Sequence, residues 1–229
     1  MKKFLKRFSI GLLILIVALL AIYWTPDTDK AEMIAKYTSV ESQFVTAKNG
    51  MAIHFRDEGN AEGPAIVLLH GSGASLHTWE DMGRELADSY RLISLDLPGH
   101  GLTGPDPQRD YSAASMMDAV ETVMDSVGVE RAVIAGNSMG GWVSWRFALK
   151  SPERVAGLIL VDASGPQIDE APNLYLAARI ADSALERMLT PKITPKPLVR
   201  KTLTQVMYDD NAITEELIDR YWELTRFPG

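Results

Sequence analysis

Gly136–Asn137–Ser138–Met139–Gly140–Gly141 is the stretch on which the reading of this chain turns. An apolar run, Arg131–Ala132–Val133–Ile134–Ala135, precedes it, and a helical pattern from about Gly140 to Lys150 follows it. A serine at the apex of so sharp a strand-to-helix turn has a strained backbone. Side chains two residues to either side would meet the neighbouring strand and helix, so small residues are needed there, and Gly136 and Gly140 occupy those positions. The turn lifts the Ser138 hydroxyl above the C-terminal edge of a sheet. It also aims the Met139 N–H, at the start of a helix, toward the place where an oxyanion would form. Ser138 is the candidate nucleophile.

Two further turns lie in register with this one. His70–Gly71–Ser72–Gly73 directly follows Ala65–Ile66–Val67–Leu68–Leu69, a continuous apolar run of the kind a strand buried on both faces carries. Its glycines let the backbone turn back toward the nucleophile and present the Ser72 N–H to the same oxyanion. Asp96–Leu97–Pro98–Gly99–His100–Gly101 follows the strand Leu92–Ile93–Ser94–Leu95. Met51 to Phe55 alternates with period two and Val155 to Val161 is one more apolar strand, while Leu76 to Ser89 and Ala113 to Val127 have helical spacing, the latter closed by Gly128. Alternating strands and helices predict a mostly parallel sheet with helices on both faces. After Gly165 the rhythm becomes helical, about Asn173 to Leu189 and Thr214 to Phe227, around a segment with Pro191, Pro195 and Pro197.

The ordered set of three turns resembles the α/β-hydrolase fold family, and within it the branch of meta-cleavage-product hydrolases and related esterases. The resemblance covers about residues 44 to 229. It implies Ser138 as nucleophile, the Ser72 and Met139 amides as oxyanion hole, and turn-building roles for His70, Gly71, Gly73, Asp96, Gly99, Gly136 and Gly140. A serine at the apex separates the chain from haloalkane dehalogenases and epoxide hydrolases, which use an aspartate there. The implied chemistry is attack on a small, partly apolar ester or ketone carbonyl, with no metal or organic cofactor. Two readings stand beside it: a cofactor-free haloperoxidase-like perhydrolase, and a non-catalytic binding module tethered to a membrane.

One part of the family pattern is missing. A triad in this fold runs serine, acid, histidine in chain order. The histidines are His54, His70, His77 and His100, all before Ser138, and turn or solvent positions are expected for each. Asp162, after the Val155 to Val161 strand, is the candidate acid. The family continues past such a strand with a helical cap and further strands that bring the acid and histidine. The expectation is therefore an incomplete fold, its last strands missing, and a chain with little activity. The expected organisation is a membrane anchor over 1–24, a stalk over 25–43, the hydrolase core over 44–164 and a partial helical cap over 165–229. Leu174, Leu176, Ile180, Leu185, Tyr221 and Trp222 would pack that cap.

Composition limits the rest. Hydrophobic content of 46% and charged content of 23% suit a folded domain, and the absence of cysteine excludes disulfides and thiolate metal sites. Lys2, Lys3, Lys6 and Arg7 contribute four positive charges to a net charge of −7, leaving −11 on the remainder. That balance argues against nucleic acid as a partner. The basic start precedes an uncharged run over 8–24. It predicts an N-terminal transmembrane helix, with a cleaved signal as the alternative, and positive charge at its start places the bulk of the chain outside the cytoplasm. Oligomeric state is left open.

Overall fold

The structure, a computed structural model, describes residues 8, 10–12, 14, 18, 21–165 and 194–228. It divides into two units, 1–27 with 170–226, and 28–169 with 227–229. The second unit is a six-stranded sheet. Its strands are β1 (Ser42–Thr46), β2 (Ala52–Gly59), β3 (Ala65–Leu69), β4 (Arg91–Leu95), β5 (Ala132–Asn137) and β6 (Val155–Val161), in the spatial order β1-β2-β4-β3-β5-β6. β1 and β2 run antiparallel, and β2 runs antiparallel to β4; the β4-β3-β5-β6 block is parallel.

Both sheet faces are covered, which is why β3 is apolar throughout and β4 is apolar apart from Arg91 and Ser94. Val67, Leu69, Ile93, Leu95 and Ile134 point into one core with Met116, Val120, Val123 and Met124 of α3 (Ala113–Ser126) and Val143 and Phe147 of α4 (Met139–Lys150). Ile66, Leu68, Leu92 and Ala135 point to the other face, where Trp79 joins Met82 and Leu86 of α2 (Glu80–Leu86). The helix expected over Leu76 to Ser89 thus divides into a 3₁₀ turn, Leu76–Trp79, and α2. β6 is the outer strand, and Leu158, Ile159, Leu160 and Val161 keep 40–46% of their surface exposed.

The stretch read as a stalk carries α1 (Lys30–Tyr37), capped by the Asp29 side chain on the Glu32 N–H, with Met33 and Tyr37 buried. In the other unit, α5 (Lys196–Val206) packs against α6 (Glu215–Leu224), and ion pairs join Lys196 to Asp219 and Arg200 to Glu215. Pro197 sits in the first turn of α5, where its missing N–H breaks no helical bond, so a proline-rich segment still forms a helix. Trp222 Nε1–H donates to the Thr194 carbonyl at 2.7 Å. The helix expected over Asn173 to Leu189, with Leu174, Leu176, Ile180 and Leu185, lies outside the described residues.

The expected N-terminal transmembrane helix is corrected: among the described residues no helix is long and apolar enough to cross a membrane. Residues 8, 10–12, 14, 18 and 21–23 are helical, but the helix stops at Tyr23. An uncharged run over 8–24 reaches only about 25 Å as helix, against a hydrocarbon core of about 30 Å. The membrane partnership through residues 8–24, and the placement of the chain outside the cytoplasm that rested on it, fall with the helix.

Candidate active site

The connection leaving β3 runs to β4 on one side, and the one leaving β5 runs to β6 on the other. The crevice beyond the C-terminal ends of β3 and β5 is therefore a topological switch point, where open parallel sheets gather ligands. Ser138 follows β5 there, and the turn holding Ser72 follows β3.

Ser138 has φ 50° and ψ −111°, a region that costs a side-chain-bearing residue of the order of 1–3 kcal/mol. Its neighbours enforce this. The Ser138 N–H donates to the Val161 carbonyl, and the Ser138 carbonyl accepts the N–H groups of Trp142 and Ser164. A β-carbon on Gly136 would overlap the Gly140 backbone and the Ser144 hydroxyl, and one on Gly140 would overlap the Leu69 carbonyl at the end of β3. β5, β3 and α4 thus meet at a point only hydrogen atoms fit. Ser138 is half-buried at the head of α4, and Met139 is the first residue of that helix, so its N–H has no acceptor within the helix.

The Ser72 turn lies against the nucleophile. A β-carbon on Gly71 would stand 2.8 Å from Asn137 Oδ1 and 3.4 Å from Ser138 Cβ. The Ala74 N–H closes the turn on the Gly71 carbonyl at 3.3 Å, Gly73 takes φ 71°, and Ser72 is exposed. His70 is fully buried and ties this turn to the end of β4. The Leu97 N–H donates to His70 Nε2 at 3.0 Å, so Nδ1 carries the proton and donates to the Gly71 carbonyl at 2.8 Å. Burial, helped by the neighbouring His100, lowers the His70 pKa to about 4.

Asp96 joins the end of the Ser72 loop to the turn that follows β4. Its buried carboxylate accepts the Leu76 N–H on Oδ1 at 2.8 Å, and the Leu102 N–H at 2.8 Å and His54 Nδ1–H at 2.7 Å on Oδ2. Burial alone would push this carboxyl up, but the hydrogen bond and charge of His54, with His70 and the Leu76 amide, bring it down to about 2. Gly99, with φ 82°, stands under the Tyr111 ring.

His70 and His100 sit in turns, as expected, whereas His54 and His77 are buried. His54 is not on a wet face: it is fully buried between Asp96 and Ser42 Oγ, the latter 3.0 Å from Nε2. His77 is buried, with Nδ1 on Ser75 Oγ and Nε2 on the Tyr37 carbonyl. His100 Nδ1–H donates to the Pro98 carbonyl at 3.1 Å, and burial lowers its pKa. No hydrogen bond joins any of these rings to Ser138 among the described residues. Asp162 is exposed with φ 45°, beside Ala163, whose Cβ faces Gly141. Sequence reasoning missed His54 as a partner of Asp96; an aspartate at the end of a buried strand, which needs donors in the interior, was the available signal.

Comparison with known proteins gives the family. A family described as alpha/beta hydrolase fold matches residues 64–190. A 2-hydroxy-6-oxo-6-phenylhexa-2,4-dienoate hydrolase of Comamonas testosteroni is 31% identical over 179 residues, which is 75% of this chain and 59% of that protein. The meta-cleavage product hydrolase of Pseudomonas fluorescens IP01 superposes with a TM-score of 0.67 at 28% identity, over 83% of this chain and 66% of that one. The naproxen esterase of Bacillus subtilis, at 19% identity and a TM-score of 0.60 over 86% of this chain and 64% of that one, shares the fold alone. The chain thus spans less than two thirds of the length of these relatives.

Proposed function

The chain belongs to the α/β-hydrolase fold family, and on that premise we propose that Ser138 is the nucleophile of a serine hydrolase acting on a small, partly apolar carbonyl compound. Its hydroxyl oxygen forms a bond to the carbonyl carbon, and the charge that develops on the carbonyl oxygen is held by the Ser72 and Met139 amides. Collapse expels the leaving group, which takes up the proton Ser138 gave away, and water then releases the acyl group. The observation that carries this reading is the strained backbone of Ser138, φ 50°, wedged between Gly136 and Gly140 and flush against Gly71. A serine with a purely structural role gains nothing from that strain. Kinship with the 2-hydroxy-6-oxo-6-phenylhexa-2,4-dienoate hydrolase favours a C–C bond next to a ketone as the bond broken, with an ester as the other substrate class.

The proton acceptor is the open element. Among the described residues no histidine is bonded to Ser138, and a serine without a proton acceptor is expected to react slowly at neutral pH. This same observation supports a second reading, a binding module that keeps the crevice without the chemistry. A fluorophosphonate probe separates the two. The hydrolase reading expects an adduct on Ser138 that forms slowly, forms faster when imidazole is added as proton acceptor, and is absent from Ser138→Ala. An adduct equally abundant in Ser138→Ala, or none with imidazole present, supports the binder.

A further inference from the structure

The buried network at Asp96 has a feature that the nucleophile does not use. Ser42, His54 and Asp96 form a hydrogen-bonded row with the distances of a catalytic triad, 3.0 Å and 2.7 Å. Two facts argue against chemistry at Ser42. Its oxygen already accepts the Ser39 N–H at 3.0 Å, and the ring beside it has no exposed surface. The row points instead toward the other oxygen of Asp96, which holds the Leu76 N–H.

Leu76 closes the segment that starts at Gly71, so the loop carrying Ser72 is held at both ends. Its first carbonyl is fixed by His70, which is itself held by the Leu97 N–H, and its last amide is fixed by Asp96. Residues 72–74, exposed or half-buried, lie between the two anchors. The three donors on Asp96 come from a loop (Leu76), a turn (Leu102) and an interior strand (His54), so the carboxylate cannot turn without losing one of them. Gly101 enforces the fit, since a β-carbon there would fall on the carboxyl group.

We propose that Asp96 is a positioning residue that sets the direction of the Ser72 amide by anchoring the far end of the Gly71–Leu76 loop; this rests on the reading of Ser72 as an oxyanion donor. Asp96 touches no substrate. It acts through the Leu76 N–H, and the His54–Ser42 row braces it from the neighbouring strands β2 and β1.

Two measurements on the 229-residue chain test this. The first is amide hydrogen exchange. Asp96→Ala is expected to speed exchange in residues 72–76 at least tenfold more than in the β5 amides, whose exchange rises only with the general loss of stability. Unchanged exchange in the loop, or equal loss in loop and β5, overturns the proposal, because the carboxylate would then be irrelevant or merely a stabiliser of the whole fold. Gly101→Ala displaces the carboxylate without removing it and carries the same expectation should Asp96→Ala not fold. The second is binding of phenylboronic acid, whose boron forms a bond to Ser138 Oγ, the displaced proton passing to buffer, and leaves a tetrahedral anion facing the amides. Asp96→Ala is expected to weaken this at least tenfold, and equal binding overturns the proposal. If the unaltered chain forms no adduct, or Ser138→Ala binds as well, the oxyanion-site reading itself fails and the proposal falls with it, whatever the exchange data show.

Discussion

Gly140 and Leu69 approach so closely that a β-carbon on the glycine would overlap the leucine carbonyl. Through this contact α4 and β3 meet at backbone distance, and the nucleophile turn is pressed against the strand end that carries the Ser72 loop. Gly140→Ala must force the helix away from the strand. Strain of this kind costs about 1–3 kcal/mol. Urea unfolding should show a midpoint lowered accordingly, and an unchanged midpoint would mean the contact is looser than described.

Ser138 stores strain that a glycine would not feel. With φ 50° and ψ −111°, the residue occupies a region natural only to glycine. Ser138→Gly should therefore raise the unfolding free energy by about 1 kcal/mol or more while removing the hydroxyl. Loss of stability in this variant would show that the serine side chain contributes more than its backbone costs.

Acid should weaken the fold in two stages. His70 has a folded pKa of about 4, below the roughly 6.5 of an unfolded histidine, so the unfolded chain binds the extra proton first. Its contribution is complete above pH about 6.5 and is lost as pH falls toward 4. Asp96, at about 2 against about 3.9 unfolded, contributes fully above pH about 4 and loses that contribution between 4 and 2. Each term is on the order of 3 kcal/mol. Melting temperatures measured from pH 7 to 3 should fall throughout, and His70→Gln should make the curve shallower between 6.5 and 4, leaving the part contributed by His100, whose pKa burial also lowers. A flat wild-type curve in that window contradicts the buried, neutral imidazole.

β6 presents four consecutive apolar residues, Leu158 to Val161, on an outer strand with no neighbour on its far side among the described residues. Such an edge is a template for pairing between chains. Ile159→Lys should reduce self-association, measured by light scattering at rising concentration, relative to the unaltered chain. Equal scattering would place the sticky surface elsewhere.

Much of the sheet was legible because two interior strands are nearly all apolar: Ala65 to Leu69 throughout, and Leu92 to Leu95 with Ser94 as its one polar residue. The nucleophile turn was legible because glycines mark where backbones touch. Three features were not. β1 is short and becomes a strand only by pairing with β2 across a turn at Gly50, φ 86°. Alternation in β2 suggests a wet face for His54, yet Ile53, His54, Phe55 and Arg56 are all buried there and the imidazole is stabilised by Asp96. The N-terminal apolar run has the flanking charges of a membrane span, yet its 8–24 stretch is short of the thickness required. The three turns lie at three strand ends of one sheet edge, and that much follows from their order in the chain. The anchoring of one turn by another, through His70 and Asp96, depends on side-chain directions that spacing alone does not carry.

The most direct test is to locate a fluorophosphonate adduct by peptide mass mapping, with imidazole supplied as proton acceptor. The account predicts one modified residue, Ser138, and no adduct in Ser138→Ala. Modification of Ser42, Ser72 or another serine in its place, or an unmodified chain after prolonged exposure, would contradict it.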